Sequence, residues 1–201
     1  MNWKSLLSNH SKDINQHNIL KTNSETGEKA SLFLKNKAVC TQESGYILVE
    51  GPDAEEFLQG QVTCDVSNVA QGASVNGAHL NPQGKVIFSF LLSKLKKGLI
   101  ILDVNKPILA TALSSLEKYA VFSKVTLSLS ENFYSFLISS KANDGLPKLT
   151  EYSSIQKLSK GIIYSIVPKT LFSKWFDLIK DDITLIAVSY THLTLPTTTS
   201  V

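Results

Sequence analysis

The chain has 201 residues, 43% hydrophobic and 18% charged, which describes a globular protein rather than a disordered one. No apolar run approaches the roughly 20 residues of a membrane helix, and the polar start MNWKSLLSNHSKDINQHN has no signal-peptide core, so a cytoplasmic location is expected. A net charge of +3 is too small to argue for nucleic acid, and every basic residue is Lys, so anions must be held without a guanidinium fork.

Residues 1–30 are polar and rich in Asn, Ser and Lys; Trp3, Leu6 and Leu7 offer one amphipathic turn at most. Residues 31–40 (SLFLKNKAVC) and 45–50 (GYILVE) read as strands, the second running into residues 50–66 (EGPDAEEFLQGQVTCDV). There Gly51 turns the chain, and Pro52 fits a first helical position. Asp53, Glu55 and Glu56 place negative charge where the helix dipole favours it. Ala54, Phe57 and Leu58 fall at i, i+3 and i+4 and give one buried face, and Gly60 is the stop signal. Residues 61–66 alternate, which predicts an extended exit carrying Gln61, Thr63 and Asp65 on one side.

Residues 76–92 (NGAHLNPQGKVIFSFLL) form a hairpin candidate. Asn81-Pro82-Gln83-Gly84 has Pro second and Gly fourth, as a type I turn prefers. In the return strand Val86, Phe88 and Phe90 alternate with Ile87, Ser89 and Leu91, which predicts burial on both faces. Lys94, Lys96 and Lys97 make the only dense basic group, read as a solvated loop. Residues 98–104 (GLIILDV) are a strand, Asn105 a cap, and Pro107 the first turn of a helix lined by Ile108, Leu109, Ala112, Leu113, Leu116 and Ala120. Residues 124–129 read as a strand. Residues 161–167 (GIIYSIV), Pro168, a helix lined by Leu171, Phe172, Trp175, Leu178 and Ile179, and a strand at 183–188 repeat that order. Two strand–Pro–helix–strand units predict a duplicated α+β module, with chance resemblance as the alternative. Residues 189–201 (SYTHLTLPTTTSV) carry no charge and resemble translated sequencing-adaptor tails. The expected division is a polar segment 1–30, a domain 31–188 and a non-native tail 189–201.

Chemical motifs are sparse. No Walker loop, dinucleotide-binding glycine fingerprint or nucleophile elbow is present. His10, His17, His79 and His192 lack metal-ligand spacing. His79 stands apart because it precedes the hairpin turn, although a lone His there is more often structural. Cys40 and Cys64 lie outside any CxxC, which suits a reducing compartment, and each reads as a small buried thiol. Trp175 lies on an apolar helix stripe and reads as packing.

Residues 51–66 (GPDAEEFLQGQVTCDV) resemble the N-terminal motif of the YgfZ-type folate-binding proteins, relatives of the glycine cleavage system T-protein. Residues 116–126 (LEKYAVFSKVT) resemble that family's later block, and Ala78-His79-Leu80 with Gly84-Lys85 match its hairpin. The likeness covers roughly residues 45–130 and continues more weakly, in strand order, to about Val188. It implies an α+β, GcvT/YgfZ-like N-terminal folate-binding domain with duplicated strand–helix–strand modules and antiparallel-rich mixed sheets. It also implies tetrahydrofolate as cofactor, iron–sulfur enzymes as clients and a link to tRNA modification. The family's Lys-Gly-Cys-aromatic-x-Gly-Gln-Glu string does not occur in the chain, and truncation before it is expected.

The T-protein's acidic pair would fall at Phe88 and Ser89, neither of which can move a proton as a carboxylate does. An accessory binding role is therefore expected ahead of catalysis, with an aminomethyltransferase-like one-carbon enzyme and a tRNA-binding protein as alternatives. Direct nucleic-acid or membrane binding is not expected. The residues placed at the folate are Gln61, Thr63 and Asp65 on the helix exit, His79 and Lys85 at the hairpin, and Lys118 and Tyr119. Amides and carboxylates suit the donor–acceptor edge of a pterin, and Lys suits the glutamate tail. For Lys118 and Tyr119 a solvated helix end with a packed ring stays open.

Overall fold

A computed structural model describes residues 37–41, 44–96, 98–139, 154–159, 162–179 and 184–187. The expectations for 1–30 and for the tail 189–201 fall outside these residues. In chain order the elements are β1 (Lys37–Thr41), β2 (Ser44–Glu50), α1 (Ala54–Gln59), β3 (Ser74–Leu80), β4 (Val86–Lys96), β5 (Leu99–Asn105), α2 (Leu109–Ala120), β6 (Thr126–Ser130), β7 (Phe133–Ser139), β8 (Ser154–Ser159), β9 (Ile162–Pro168), α3 (Phe172–Ile179) and β10 (Thr184–Ala187). Among the described residues no helix is long and apolar enough to cross a membrane.

Strand alternation decides the layers. In β2, Ile47 and Val49 face one side; in β5, Ile100, Leu102 and Val104 do the same, and in β4, Phe88, Phe90 and Leu92. These residues pack under Ala54, Phe57 and Leu58 of α1 and Ala112 and Leu116 of α2. The opposite face, with Tyr46, Leu91 and Ile101, meets Phe133 of β7 and Ile166 of β9. Two five-stranded sheets are thus stacked, in the orders β3-β4-β5-β2-β6 and β10-β1-β7-β9-β8. Among the described residues only β1 and β10 pair in parallel. Phe136, Phe172 and Trp175 stack on the outer face of the second sheet, with the Phe136 and Trp175 centroids 4.6 Å apart. Trp175 is therefore a packing residue.

The duplicated unit is real. Both β5 and β6 run antiparallel to β2, so they are parallel to each other and α2 is the crossover that joins them. By the same reasoning β9 and β10 are parallel and flank β7 and β1, with α3 as the crossover. Each helix is entered through a short 3-10 turn, Lys106–Ile108 or Lys169–Leu171. The prolines differ: Pro107 lies inside its turn, whereas Pro168 closes β9. Asn105 makes no side-chain cap, contrary to expectation.

Other details depart from the sequence reading for identifiable reasons. Helix α1 begins at Ala54, so Pro52 sits in the preceding turn. Asp53 does not cap its own helix; its Oδ2 accepts the Lys124 N–H at 2.8 Å and ties α1 to the loop before β6. Gly51 is required there, because at φ +133° it lies against the Lys124 carbonyl, where a Cβ has no room. Gly60 stops α1 without a left-handed turn, at φ −80°, and the N–H groups of Gln61 and Val62 bond back to Leu58 O. The two-sided burial expected of β4 fails at its start: Val86 is 63% exposed, and Ile87 and Ser89 are also open, because the hairpin overhangs the core. Lys94 is not in a solvated loop. It is buried in β4 and pairs with Glu55 of α1 at 2.8 Å.

A polar cluster sits between the sheets. Asp103 Oδ2 accepts Ser135 Oγ–H at 2.7 Å and Tyr164 O–H at 2.6 Å. Tyr46 O–H lies 2.7 Å from Ser135 Oγ, and Ser44 Oγ lies 3.2 Å from Tyr164 O–H. Burial raises the Asp103 carboxyl above its ordinary 3.8, against the lowering pull of Tyr164, Ser135 and Ser44.

Candidate functional site

The exit from α1 lies along β3. Thr63 N–H donates to Ala78 O at 3.0 Å, and Ala78 N–H returns to Thr63 Oγ1 at 3.0 Å. Val62 pairs with His79, the one bridge in a segment that otherwise bends rather than extending as a regular strand. Gly77 makes the approach feasible, because a Cβ there would meet the Phe90 ring at 2.6 Å and Cys64 Sγ at 2.8 Å. Cys64 is buried, and burial pushes its thiol above 9.0, so it presents no ready nucleophile.

Asp65 turns away from the regular alternation. Its Oδ1 accepts Ser67 Oγ–H at 2.7 Å and its Oδ2 accepts Asn68 Nδ2–H at 2.6 Å. The Ser67 hydroxyl, followed by the Asn68 groups, holds the carboxyl below its ordinary 3.8. Gln59 Oε1 accepts Val66 N–H at 2.7 Å and closes the same loop.

His79 is 2% exposed. Its Nδ1 lies 2.7 Å from Gln61 O, while Nε2 has no hydrogen-bond partner among the described residues. Phe88 packs against the imidazole with centroids 5.4 Å apart, and Tyr119 of α2 meets it edge-on at 6.2 Å. Tyr119 is 42% exposed, so its ring forms the outer side of this contact. Gln61, Thr63, His79 and Tyr119 are therefore brought together.

The two lysines are placed differently. Lys85 is exposed at the hairpin turn, where its N–H donates to Asn81 Oδ1 at 2.8 Å and its carbonyl accepts Asn81 N–H at 2.9 Å. The expected turn is present, with Gly84 N–H to Asn81 O at 2.9 Å and Gly84 at φ +77°. Lys118 is exposed beside Tyr119 on α2. Neither ammonium group contacts the other candidates among the described residues.

Sequence reasoning missed what Phe88 does. It stands where the T-protein resemblance calls for an acid, and it forms one apolar wall against His79. Ser89 points to the opposite face of β4 and is exposed. Val86, Val121 and Phe122, the last 93% exposed, add apolar surface at the hairpin start and just beyond α2. The signal was Val121-Phe122 directly after the helix, with no polar residue before Ser123. The residues present fit a pterin: a buried acceptor at His79, an aromatic face at Tyr119, and the amide of half-buried Gln61.

No family model matches the chain. It is 32% identical over 136 residues to the tRNA-modifying protein YgfZ of Aliivibrio fischeri (strain MJ11), which is 68% of this chain and 42% of that protein. With the YgfZ of Hamiltonella defensa it shares 40% over 88 residues, covering 44% of this chain and 26% of the relative. The chain thus spans less than half the length of the curated relatives it matches. Its fold is similar to the glycine cleavage system aminomethyltransferase T of Bartonella henselae, with a TM-score of 0.60 over 77% of this chain and 48% of that one. At 16% identity this likeness shows the fold alone. The family resemblance and the fold expected from residues 51–66 and 116–126 are borne out: the chain matches part of the YgfZ proteins and shares the fold of aminomethyltransferase T.

Proposed function

We propose that this chain contributes a tetrahydrofolate-binding surface to an accessory protein that sustains iron–sulfur enzymes and, through them, tRNA modification. The observation that carries the folate reading is the buried His79 Nε2, without a partner among the described residues, on a side chain beside Tyr119 and Gln61. A polar atom withheld from water and left without a protein partner is stabilised when a ligand supplies one. Gln61 and His79 would hold the pterin edge and Tyr119 its face. Thr63 fixes the loop that carries Gln61, and Lys85 and Lys118 are free to meet the glutamate carboxylates in solvent. Asp65 would join only by exchanging its bonds to Ser67 and Asn68. Tetrahydrofolate, when bound, supplies ring nitrogens able to carry a one-carbon unit.

The same geometry favours binding over turnover. Phe88 and Ser89 provide no carboxylate beside His79, so proton transfer by a positioned acid is not available from that stretch. The tRNA-modifying role is taken from the relatives' description, and the iron–sulfur clients from the family resemblance. Isothermal titration of the full chain with tetrahydrofolate under reducing conditions tests the binding. Saturable one-site binding is expected, weakened in Tyr119→Ala; absence of heat together with an unchanged melting temperature would contradict it.

A further inference from the structure

We infer that His79 Nε2 is a hydrogen-bond acceptor that selects the reduced over the oxidised pterin ring. This rests on the tetrahydrofolate reading above and adds to it the residue that distinguishes the reduced ring from the oxidised one. The Gln61 carbonyl can only accept, so the 2.7 Å contact places the imidazole proton on Nδ1. In the neutral ring Nε2 then carries a bare lone pair. That atom is buried and without a partner among the described residues, on an imidazole that neighbours the rings of Phe88 and Tyr119.

The lone pair needs a donor, and the ligand's chemistry says which one. The pyrimidine edge of a pterin presents acceptors and donors side by side, which matches the amide of Gln61 better than a single acceptor. The pyrazine edge changes character with reduction. In folic acid both ring nitrogens, N5 and N8, are acceptors, and either would set lone pair against lone pair at Nε2. In tetrahydrofolate both are N–H donors. A site reading that edge with one acceptor therefore gains a hydrogen bond from the reduced form and leaves two buried acceptors facing each other with the oxidised form. The partly exposed Tyr119 ring lies 6.2 Å from the imidazole, centroid to centroid.

Two measurements on the full chain test this. Long-range proton–nitrogen NMR of the ¹⁵N-histidine-labelled protein should find the Nδ1–H tautomer at His79, with Nε2 unprotonated and shifting on addition of tetrahydrofolate. Titration calorimetry should find tetrahydrofolate bound about tenfold or more tightly than folic acid, the worth of one hydrogen bond. In His79→Asn the side-chain amide still reaches Gln61 O but ends short of the Nε2 position, and the ratio should fall towards one. A proton on Nε2, equal affinity of the wild type for both forms, or a preference retained in His79→Asn would each overturn the inference. Equal affinities leave the folate site standing. Failure of the wild type to bind either form removes the folate reading and this inference with it. The tautomer and the wild-type ratio need no variant, so a misfolded His79→Asn protein does not shield the idea.

Discussion

Two buried polar side chains, on opposite faces of the same sheet, are treated in opposite ways. Asp103, on the face against the second sheet, has its Oδ2 held by two hydroxyls that are themselves backed by Tyr46 and Ser44. His79, on the face under the helices, has one nitrogen tied to Gln61 and the other without a partner among the described residues. A buried polar group that its own fold saturates does structural work, here linking β5 to β7 and β9 across the sheet interface. One that is half satisfied carries a cost that folding does not remove. Ser165 Oγ and Trp175 Nε1 are also buried without a partner among the described residues, so His79 is marked as a candidate by its neighbours Gln61 and Tyr119 together with its open nitrogen.

The largest effect should come from breaking the saturated side. Asp103→Ala leaves the Ser135 and Tyr164 hydroxyls without their acceptor, and relief of the desolvated carboxylate offsets only part of that. Chemical denaturation should show a loss of about 2–4 kcal/mol. A change below about 0.5 kcal/mol would mean that the hydroxyls re-pair easily and that the cluster does not hold the sheets. Next comes Gly77→Ala, which drives a methyl into Phe90 and Cys64. A loss of about 1–3 kcal/mol is expected, with weakened amide protection at Thr63 and Ala78 as the loop lifts from β3.

The pH response separates the two sites further. Asp103 is raised above 3.8, so the folded state holds its proton more tightly than the unfolded chain. Its contribution to stability is therefore greatest below 3.8, declines as pH rises through the raised folded value, and is level above it, with a slope of at most about 1.4 kcal/mol per pH unit. Urea midpoints of the wild type measured against Asp103→Asn from acid to neutral pH should show that decline in the wild type only. A parallel pair of curves would remove the assigned burial effect. The smallest stability change belongs to Tyr119→Ala, within about 1 kcal/mol for a partly exposed ring. Its signature should be faster exchange of the His79 Nδ1–H; unchanged exchange would show that Tyr119 does not shield the imidazole.

Legibility followed the range of the interactions. Ala54, Phe57 and Leu58 were readable because helix spacing alone fixes a buried face. The two strand–helix–strand units were readable because apolar runs, prolines and periodic helices recur in order. Lys94 was misread because its partner, Glu55, lies on α1, and sequence spacing says nothing of how α1 crosses β4. Val86 and Ile87 were misread because alternation gives the faces of a strand but not where its neighbours end. The Asp103 cluster was invisible because Ser135 and Tyr164 meet it only through sheet stacking, although a single acid inside the run GLIILDV was a flag. At the candidate site, His79 was singled out by its place before the turn, whereas its contact with Phe88 and the lack of an Nε2 partner among the described residues needed the fold.

Backbone amide shifts of the full chain, followed as tetrahydrofolate is added, test the central claim most directly. The account predicts changes concentrated at Gln61, Thr63, Ala78, His79 and Tyr119, with Asp103, Ser135 and Tyr164 left unmoved. Changes centred on the Asp103 cluster, or none at saturating ligand, would contradict it.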